Sequence, residues 1–183
     1  MSTRLDSLAA IDDAIWQELT RAVGDKQHPW RAPVLATTDG DSADARTVIL
    51  REAVASERRL RLYTDQRAHK VAQLLSHPKG TLVMWSPTLA WQLRCHVHLN
   101  VLPQGLDTSS RWARVQHTRS EQDYMAPLAP GSVLDSAPTA GGIHRAHFAV
   151  IEADVISIDW LELHRDGHRR VVVDADGARW VQP

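Results

Sequence analysis

Four short segments of the sequence combine cationic, hydroxyl and amide side chains. These segments are residues 46–51 (RTVILR), 63–64 (YT), 67–70 (RAHK) and 91–92 (WQ). Guanidinium and ammonium groups hold a phosphate through charge-assisted hydrogen bonds, and hydroxyl groups can supply further bonds. The sequence contains no glycine-rich phosphate loop of either common type. Any nucleotide-like ligand would therefore be held by side chains such as these.

The composition limits the partners that the chain could take. Its 183 residues are enough for a single domain, 1–183, with a hydrophobic core. The 21 basic and 22 acidic side chains give a formal net charge of −1. This balance offers no electrostatic footprint for nucleic acid or an anionic membrane. The sequence shows no membrane-spanning run or export signal, and Cys95 is the only cysteine. We therefore expect a cytoplasmic protein with no intramolecular disulfide and no nucleic-acid or membrane partner.

Apolar residues recur at helical spacing in three segments of the chain. Helices are predicted over residues 7–23, 68–76 and 107–124. In the first of them, Ile11 and Ile15 belong to the apolar face, and Asp6 or Ser7 can cap the N-terminus. Residues 126–142 are rich in Pro, Gly, Ala and Ser, which predicts a long irregular loop.

The rest of the chain has the pattern of an all-β protein. Strands are predicted over residues 32–38, 45–53, 60–64, 80–86, 91–102, 147–153, 155–163, 169–174 and 179–181. The first three follow one another through short turns and are expected to form a meander. In residues 91–102 polar and apolar side chains alternate, which indicates a strand whose polar face lines a pocket or a subunit interface. Because no βαβ series is present, we predict a mainly β, antiparallel barrel with a few helices.

Taken in order and with their spacing, the four segments resemble the FMN-binding split barrels of the pyridoxamine 5′-phosphate oxidase family. The resemblance runs from about residue 32 to 101, resumes around Phe148 and ends at Arg170. It implies an antiparallel split β-barrel that binds FMN at the interface of a homodimer, with Trp160 and Arg170 closing over the flavin. Carried over by position, the implied flavin contacts are Arg46, Thr47, Val48, Ile49, Arg51, Tyr63, Thr64, Arg67, His69, Lys70, Gln92, Trp160 and Arg170.

Some of these positions differ from the family or have a particular role in it. By resemblance, Gln92 would reach the flavin from the other subunit. Arg51 stands where the oxidases usually have a Lys that helps to hold flavin and substrate. His69 stands where they commonly have an Arg, and Arg67, two residues earlier, could take over that phosphate contact.

The substrate half of the pattern departs further from the family. Counting back from Arg170 places His168 on the expected His, but it places Asp166 on the Arg that grips the substrate phosphate. An acidic side chain there would repel a phosphorylated substrate. Arg51, Arg119 and His168 are the candidate contacts to a small-molecule substrate, whose identity stays open.

The sequence leaves several functions open. An oxidoreductase would use the flavin for electron transfer, while the protein supplies orientation and electrostatics. A binding protein would hold flavin, haem or a deazaflavin without turnover, and His96, His98 or His144 could then serve as ligands. A third possibility is a barrel that has lost its cofactor and serves only in assembly. No metal site is predicted, because His96 and His98 lack a third ligand at a recognisable spacing.

Overall fold

One antiparallel sheet dominates the computed structural model, which describes residues 4–137 and 146–183. The strands in these ranges are β1 (Val34–Thr38), β2 (Ala43–Thr47), β3 (Leu50–Val54), β4 (Arg59–Asp65), β5 (Lys79–Ser86), β6 (Trp91–Val101), β7 (Phe148–Glu162), β8 (Arg169–Asp174) and β9 (Gly177–Val181). The α-helices are α1 (Leu8–Gly24), α2 (His69–Ser76) and α3 (Leu106–Val115), and short 3₁₀ helices span Pro29–Arg31, Ala55–Glu57 and Arg119–Tyr124. None of these helices is long and apolar enough to cross a lipid bilayer.

The order of the strands shows that the sheet is a split barrel. Along the sheet the order is β2-β1-β5-β6-β7-β4-β3, with β8 and β9 added beside β7. The end strands β2 and β3 are joined by only two residues, Val48 and Ile49, so the sheet must curl to bring its two ends together. Within the described ranges no ladder connects β2 to β3, and the barrel is open along this seam.

The predicted meander and the predicted strand over residues 45–53 are therefore wrong. The chain leaves the sheet at Val48, whose N–H donates to the carbonyl of Pro33 at 2.9 Å. β2 then pairs with β1, whereas β3 pairs with β4 on the other side of the seam. The sequence did not reveal this change of pairing partner, because residues 45–53 form a continuous run of strand-forming residues.

Helix α1 is confirmed close to its predicted bounds. The hydroxyl oxygen of Ser7 accepts a hydrogen bond of 3.0 Å from the N–H of Ala10, which identifies Ser7 as the N-cap. Ile11, Ile15 and Leu19 are fully buried, and the helix packs against β3. The main core of the protein lies between this helix and the sheet.

Two other elements differ from the prediction. The helix predicted over residues 107–124 ends at Val115, because His117 adopts a left-handed conformation with φ of 63°, and a 3₁₀ helix follows. The strands predicted over residues 147–153 and 155–163 are a single strand, β7, with a register shift opposite His96 and Val97. The first part of the predicted loop, up to residue 137, is irregular, whereas residues 138–142 and His144 lie outside the described ranges.

A second, smaller apolar cluster packs beside the seam. It joins α3 and the following 3₁₀ helix to the sheet. Its members are Tyr63, Leu102, Trp112, Val115, Tyr124, Phe148 and Val150. Tyr63 and Phe148 stack edge to face, with ring centroids 4.9 Å apart. This cluster places the aromatic ring of Tyr63 next to the residues predicted to bind the flavin.

Candidate functional site

Arg46 and Lys70 form a pair of neighbouring cations, which we call the anion site. Arg46 lies on β2, and Lys70 lies in the first turn of α2. Burial and the nearby Arg46 guanidinium lower the pKa of Lys70 from its ordinary value. In the part of the chain that the structure describes, no carboxylate lies within 4.0 Å of the Lys70 ammonium. Two adjacent cations, one of them without an ion-pair partner, are suited to bind an anion.

The start of α2 adds to this site. No side chain in the described ranges caps the helix at Ala68, so the N–H groups of His69 and Lys70 lack a side-chain acceptor at the positive end of the helix dipole. A groove of about 730 Å³ lies beside this turn, and its lining includes Arg67, His69, Leu75 and Pro130. A ligand with a phosphate group would have room beside the anion site.

The Arg46 side chain is held in place by several acceptors. Its Nη1 donates to Thr37 Oγ1 at 2.6 Å and to the carbonyl of Leu35 at 3.3 Å. Its Nη2 donates to Gln73 Oε1 at 3.3 Å and forms an ion pair with Asp44. Thr37 and Arg46 lie on the same face of the β1–β2 pair, because Leu35 is in register with Arg46 and Thr37 with Asp44.

Arg51 and Tyr63 meet on the other side of the seam. The Arg51 guanidinium carbon lies 5.6 Å from the centroid of the Tyr63 ring, and its Nη2 donates to Ser120 Oγ at 3.3 Å. Its Nε is buried without a hydrogen-bond acceptor among the described residues. Burial and the neighbouring Glu52 carboxylate raise the pKa of Tyr63 above its ordinary value. Arg51 is thus a third cation near the seam, and it has donor capacity left over.

The Arg67 guanidinium already has several partners within the chain. Its guanidinium pairs with Asp65 at 2.7 Å and donates to the carbonyls of Ala126 at 2.8 Å and Pro127 at 3.2 Å. Because the Asp65 side chain is only 3% exposed, solvent screens this ion pair little, and the charge of Arg67 is largely compensated. Thr64 is buried next to Asp65, and its hydroxyl donates to the Asp65 carbonyl at 3.4 Å.

Four other predicted contacts lie close to the anion site in sequence. Thr47 and His69 have exposed side chains and are free to approach a ligand. Val48 is buried and its N–H is already bonded, whereas Ile49 is half-buried in the link across the seam. Thr47 and His69 are thus the exposed neighbours in sequence of Arg46 and Lys70.

Gln92 and Arg170 lie on a separate surface, the outer face, which is the side of β5 to β8 turned away from α1. Gln92 is half-buried on β6, and no hydrogen bond among the described residues joins it to the anion site. Arg170 donates to Asp159 at 2.9 and 2.6 Å, and Arg94 pairs with the same carboxylate. Although burial opposes it, the hydrogen bonds from Arg170 and Arg94 lower the pKa of Asp159.

Trp160 occupies a position that does not suit a flavin contact. It is completely buried, and its ring packs edge to face on Trp91 with centroids 5.2 Å apart. The face of β7 that carries it is turned toward the core, so contact with a ligand would require repacking. The predicted contact of Trp160 with the flavin stays a prediction, and burial of the indole in this chain argues against it.

The predicted substrate residues other than Arg51 lie on the surface. His168 is exposed in the turn between β7 and β8, where its Nδ1 accepts from the His164 N–H at 3.1 Å. Asp166 is exposed in the same turn. Arg119 begins the 3₁₀ helix after α3 and is exposed. No hydrogen bond or ion pair among the described residues joins His168 or Arg119 to the anion site.

Sequence reasoning missed the residues that hold Arg46 and Tyr63 in place. Thr37 and Gln73 hold Arg46, and Glu52 holds Tyr63 at 2.9 Å. One signal was available: Gln73 follows Lys70 by three residues, so both lie on one face of α2. No comparable pattern marks Thr37 or Glu52.

Comparison with known proteins supports the fold and identifies the family. Residues 13–103 match the family model described as the pyridoxamine 5′-phosphate oxidase FMN-binding domain. The comparison with curated proteins found no significant match.

Among solved structures, one similar fold is a pyridoxamine 5′-phosphate oxidase-related, FMN-binding protein from Nostoc punctiforme. It is 18% identical with a TM-score of 0.73, and the match covers 99% of this chain and 100% of that one. A second is PhzG from Burkholderia lata in complex with tetrahydrophenazine-1-carboxylic acid, at 12% identity, a TM-score of 0.78 and coverage of 100% and 99%.

A third similar structure is a haem-binding protein from Mycobacterium smegmatis. It is 15% identical with a TM-score of 0.56, and the match covers 95% of this chain and 60% of that one. These similarities show that the fold is shared among proteins with different ligands. By the family-model match and the split-barrel fold, the chain belongs to the pyridoxamine 5′-phosphate oxidase-related, FMN-binding split-barrel family.

Proposed function

We propose that this chain binds FMN and acts as an FMN-dependent oxidoreductase. The observation that carries the proposal is the anion site, in which Lys70 has no ion-pair partner among the described residues. Arg46 reaches the same helix, because it donates to Gln73, one turn after Lys70. A phosphate dianion would relieve the repulsion between these cations and bond to both. The chain's membership of the FMN-binding family makes the FMN phosphate the natural candidate.

The residues around the seam also suit the remainder of this cofactor. An isoalloxazine ring needs apolar or aromatic packing and a cation or amide near its polar edge. Tyr63 offers a ring and Arg51 offers free donor capacity on the same side of the seam. When bound, the flavin would supply hydride and electron transfer, and the chain would supply binding, orientation and electrostatics.

The phosphate contact can be tested by comparing FMN with riboflavin, which lacks the phosphate. We expect the purified protein to retain FMN after desalting and to bind riboflavin far more weakly. Arg46→Met and Lys70→Met should each lower FMN affinity by roughly tenfold or more and change riboflavin affinity little. Lys26→Met, at an exposed lysine in the turn after α1, is the matched control. Equal affinities for both flavins would overturn the assignment.

We further propose that the protein is a homodimer that places the flavin at the subunit interface. The outer face exposes large apolar side chains, with Trp85 45% and Ile156 54% exposed, beside the half-buried Gln92 and Arg94. An apolar patch with polar residues within it is typical of a subunit contact. A second chain on this face would also explain why Gln92 is remote from the anion site of its own chain.

Light scattering tests the dimer. We expect twice the 20.4 kDa mass of the chain and a shift toward the monomer for Trp85→Glu, accompanied by weaker FMN binding. Trp180→Glu, at a similarly exposed tryptophan on β9, is the control and should leave the mass unchanged. A wild-type monomer that binds FMN tightly would contradict the proposed interface.

Turnover separates the oxidoreductase from a protein that only holds a cofactor. We propose a substrate other than a phosphorylated pyridoxamine, because Asp166 stands where the family pattern has a phosphate-gripping Arg. Bound flavin should bleach when such a substrate is added without oxygen and recover its colour in air. Retention of haem but not FMN would instead favour the binding function that the Mycobacterium smegmatis protein illustrates.

A further inference from the structure

We infer that Thr37 and Gln73 are positioning residues that fix the Arg46 guanidinium for binding the ligand phosphate. The inference rests on the proposed function, in which Arg46 and Lys70 touch the phosphate. It assigns a role to two polar residues that are 4% and 5% exposed and that the phosphate itself would not contact.

The hydrogen bonds between the three residues are linked. Thr37 Oγ1 accepts from Arg46 Nη1 at 2.6 Å and donates to Gln73 Oε1 at 2.7 Å. Gln73 Oε1 also accepts from Arg46 Nη2 at 3.3 Å. Both terminal nitrogens of the guanidinium are therefore tied to one buried pair, which limits rotation of the side chain.

The two acceptors, Thr37 Oγ1 and Gln73 Oε1, are uncharged, so they can hold the Arg46 guanidinium without compensating its charge. A carboxylate in their place would fix the guanidinium but cancel its charge, as Asp65 does for Arg67. A hydroxyl and an amide oxygen orient Arg46 and leave its positive charge available to an anion. Asp44 does pair with Arg46, but its side chain is 47% exposed, so solvent screens that pair.

Helix α2 links this pair to the second cation of the anion site. Gln73 lies one turn after Lys70, so the same helical face carries the acceptor for Arg46 and the neighbouring ammonium. Thr37 lies on β1 and attaches this face to the sheet. The hydrogen bond between Thr37 and Gln73 therefore ties the helix that carries Lys70 to the strand next to the one that carries Arg46.

The test measures dissociation constants for FMN and riboflavin by quenching of flavin fluorescence. Thr37→Val, which keeps the shape and removes the hydroxyl, and Gln73→Met should each weaken FMN binding by roughly tenfold. Riboflavin binding should stay within about twofold of wild type, and Thr37→Ser should restore FMN binding. Thr108→Val removes an equally buried hydroxyl, bonded to the Pro103 carbonyl, and is the control for stability effects.

The outcomes separate this inference from the proposed function. Equal weakening of FMN and riboflavin, or unchanged FMN binding in Thr37→Val, would overturn the positioning role while the proposed function stands. A wild-type protein that binds neither flavin would overturn both. If Thr37→Val folds poorly, the same comparison is made with Gln73→Met in wild-type and Arg46→Met backgrounds. A positioning residue should lose its effect on FMN once Arg46 is gone.

Discussion

The phenol of Tyr63 donates a hydrogen bond of 2.9 Å to Glu52 Oε1, and the pKa of this phenol is raised. The same carboxylate accepts from Arg61 at 2.9 Å and from Arg111 of α3 at 2.7 Å. The hydroxyl proton of Tyr63 is thus already donated to Glu52. Tyr63 can therefore contact a ligand through its ring face, or through its oxygen as a hydrogen-bond acceptor. Tyr63 could donate a hydrogen bond to the flavin only if its hydrogen bond to Glu52 were broken.

This arrangement predicts the alkaline behaviour of the protein. The sequence has two tyrosines, Tyr63 and Tyr124, and burial is the largest cause that raises the pKa of each above 10.0. Unfolded tyrosines ionise near their ordinary pKa and folded ones do not, so stability falls as the pH rises above about 10. Absorbance at the phenolate band should rise only together with unfolding. Titration near pH 10 in the folded protein would contradict this expectation.

Asp44 should weaken the binding of a phosphate at the anion site. Its carboxylate pairs with Arg46 and competes with any anion for the same guanidinium. Because Asp44 is 47% exposed, the effect is small, and we expect Asp44→Asn to raise FMN affinity by about two- to fivefold at low salt. Asp41→Asn, in the adjacent exposed turn, should have no such effect. The measurement is FMN titration at two salt concentrations.

Trp160 should matter for stability and not for the flavin. Because its ring is fully buried against Trp91, Trp160→Phe should lower the free energy of unfolding by about 1–3 kcal/mol. FMN affinity and the spectrum of bound flavin should stay unchanged in the folded fraction. Trp180→Phe, at a tryptophan that is 44% exposed, is the control for stability. A shifted flavin spectrum in Trp160→Phe would show that the indole approaches the cofactor after all.

Gly80 marks a close approach between strands. A Cβ at this position would lie 2.7 Å from Leu99 Cδ1 and 2.8 Å from the backbone oxygen of Ala36. Because the backbone oxygen cannot move aside cheaply, Gly80→Ala should lower the free energy of unfolding by about 1–3 kcal/mol. Gly24→Ala, where nothing lies within 4 Å, should be neutral or stabilising. Urea denaturation of the two variants provides the comparison.

The sequence was sufficient for elements whose periodicity had one explanation. Helix α1 follows from its buried residues and the Ser7 cap, and β6 follows from its strict alternation. The helix predicted over residues 107–124 extends too far beyond Val115. Tyr124 is buried in the same apolar cluster although the chain there is no longer α-helical. Apolar spacing reports burial, and here burial persists beyond the left-handed His117 that ends the helix.

The candidate site could be predicted only in its outline. The cationic residues near the seam were found by type and spacing, whereas their availability depends on partners distant in sequence. Arg67 is engaged by carbonyls 59 and 60 residues away, and Arg46 is held by Gln73, 27 residues on. Trp160 was assigned to the flavin by resemblance, and its packing against Trp91 became visible only in the fold. These facts follow from tertiary packing.

The seam has a consequence for how the protein moves. Arg46 belongs to the strand on one side and Arg51 to the strand on the other, and the two strands are joined only through Val48 and Ile49. Free sheet edges fray more readily than paired strands. A ligand that contacts both arginines would connect the two strands across this opening. Amide hydrogen exchange should then become slower in β2 and β3 together. Ligand binding and opening of the seam would then be coupled, so the exchange rates of amides in β2 and β3 would report the fraction of protein with ligand bound.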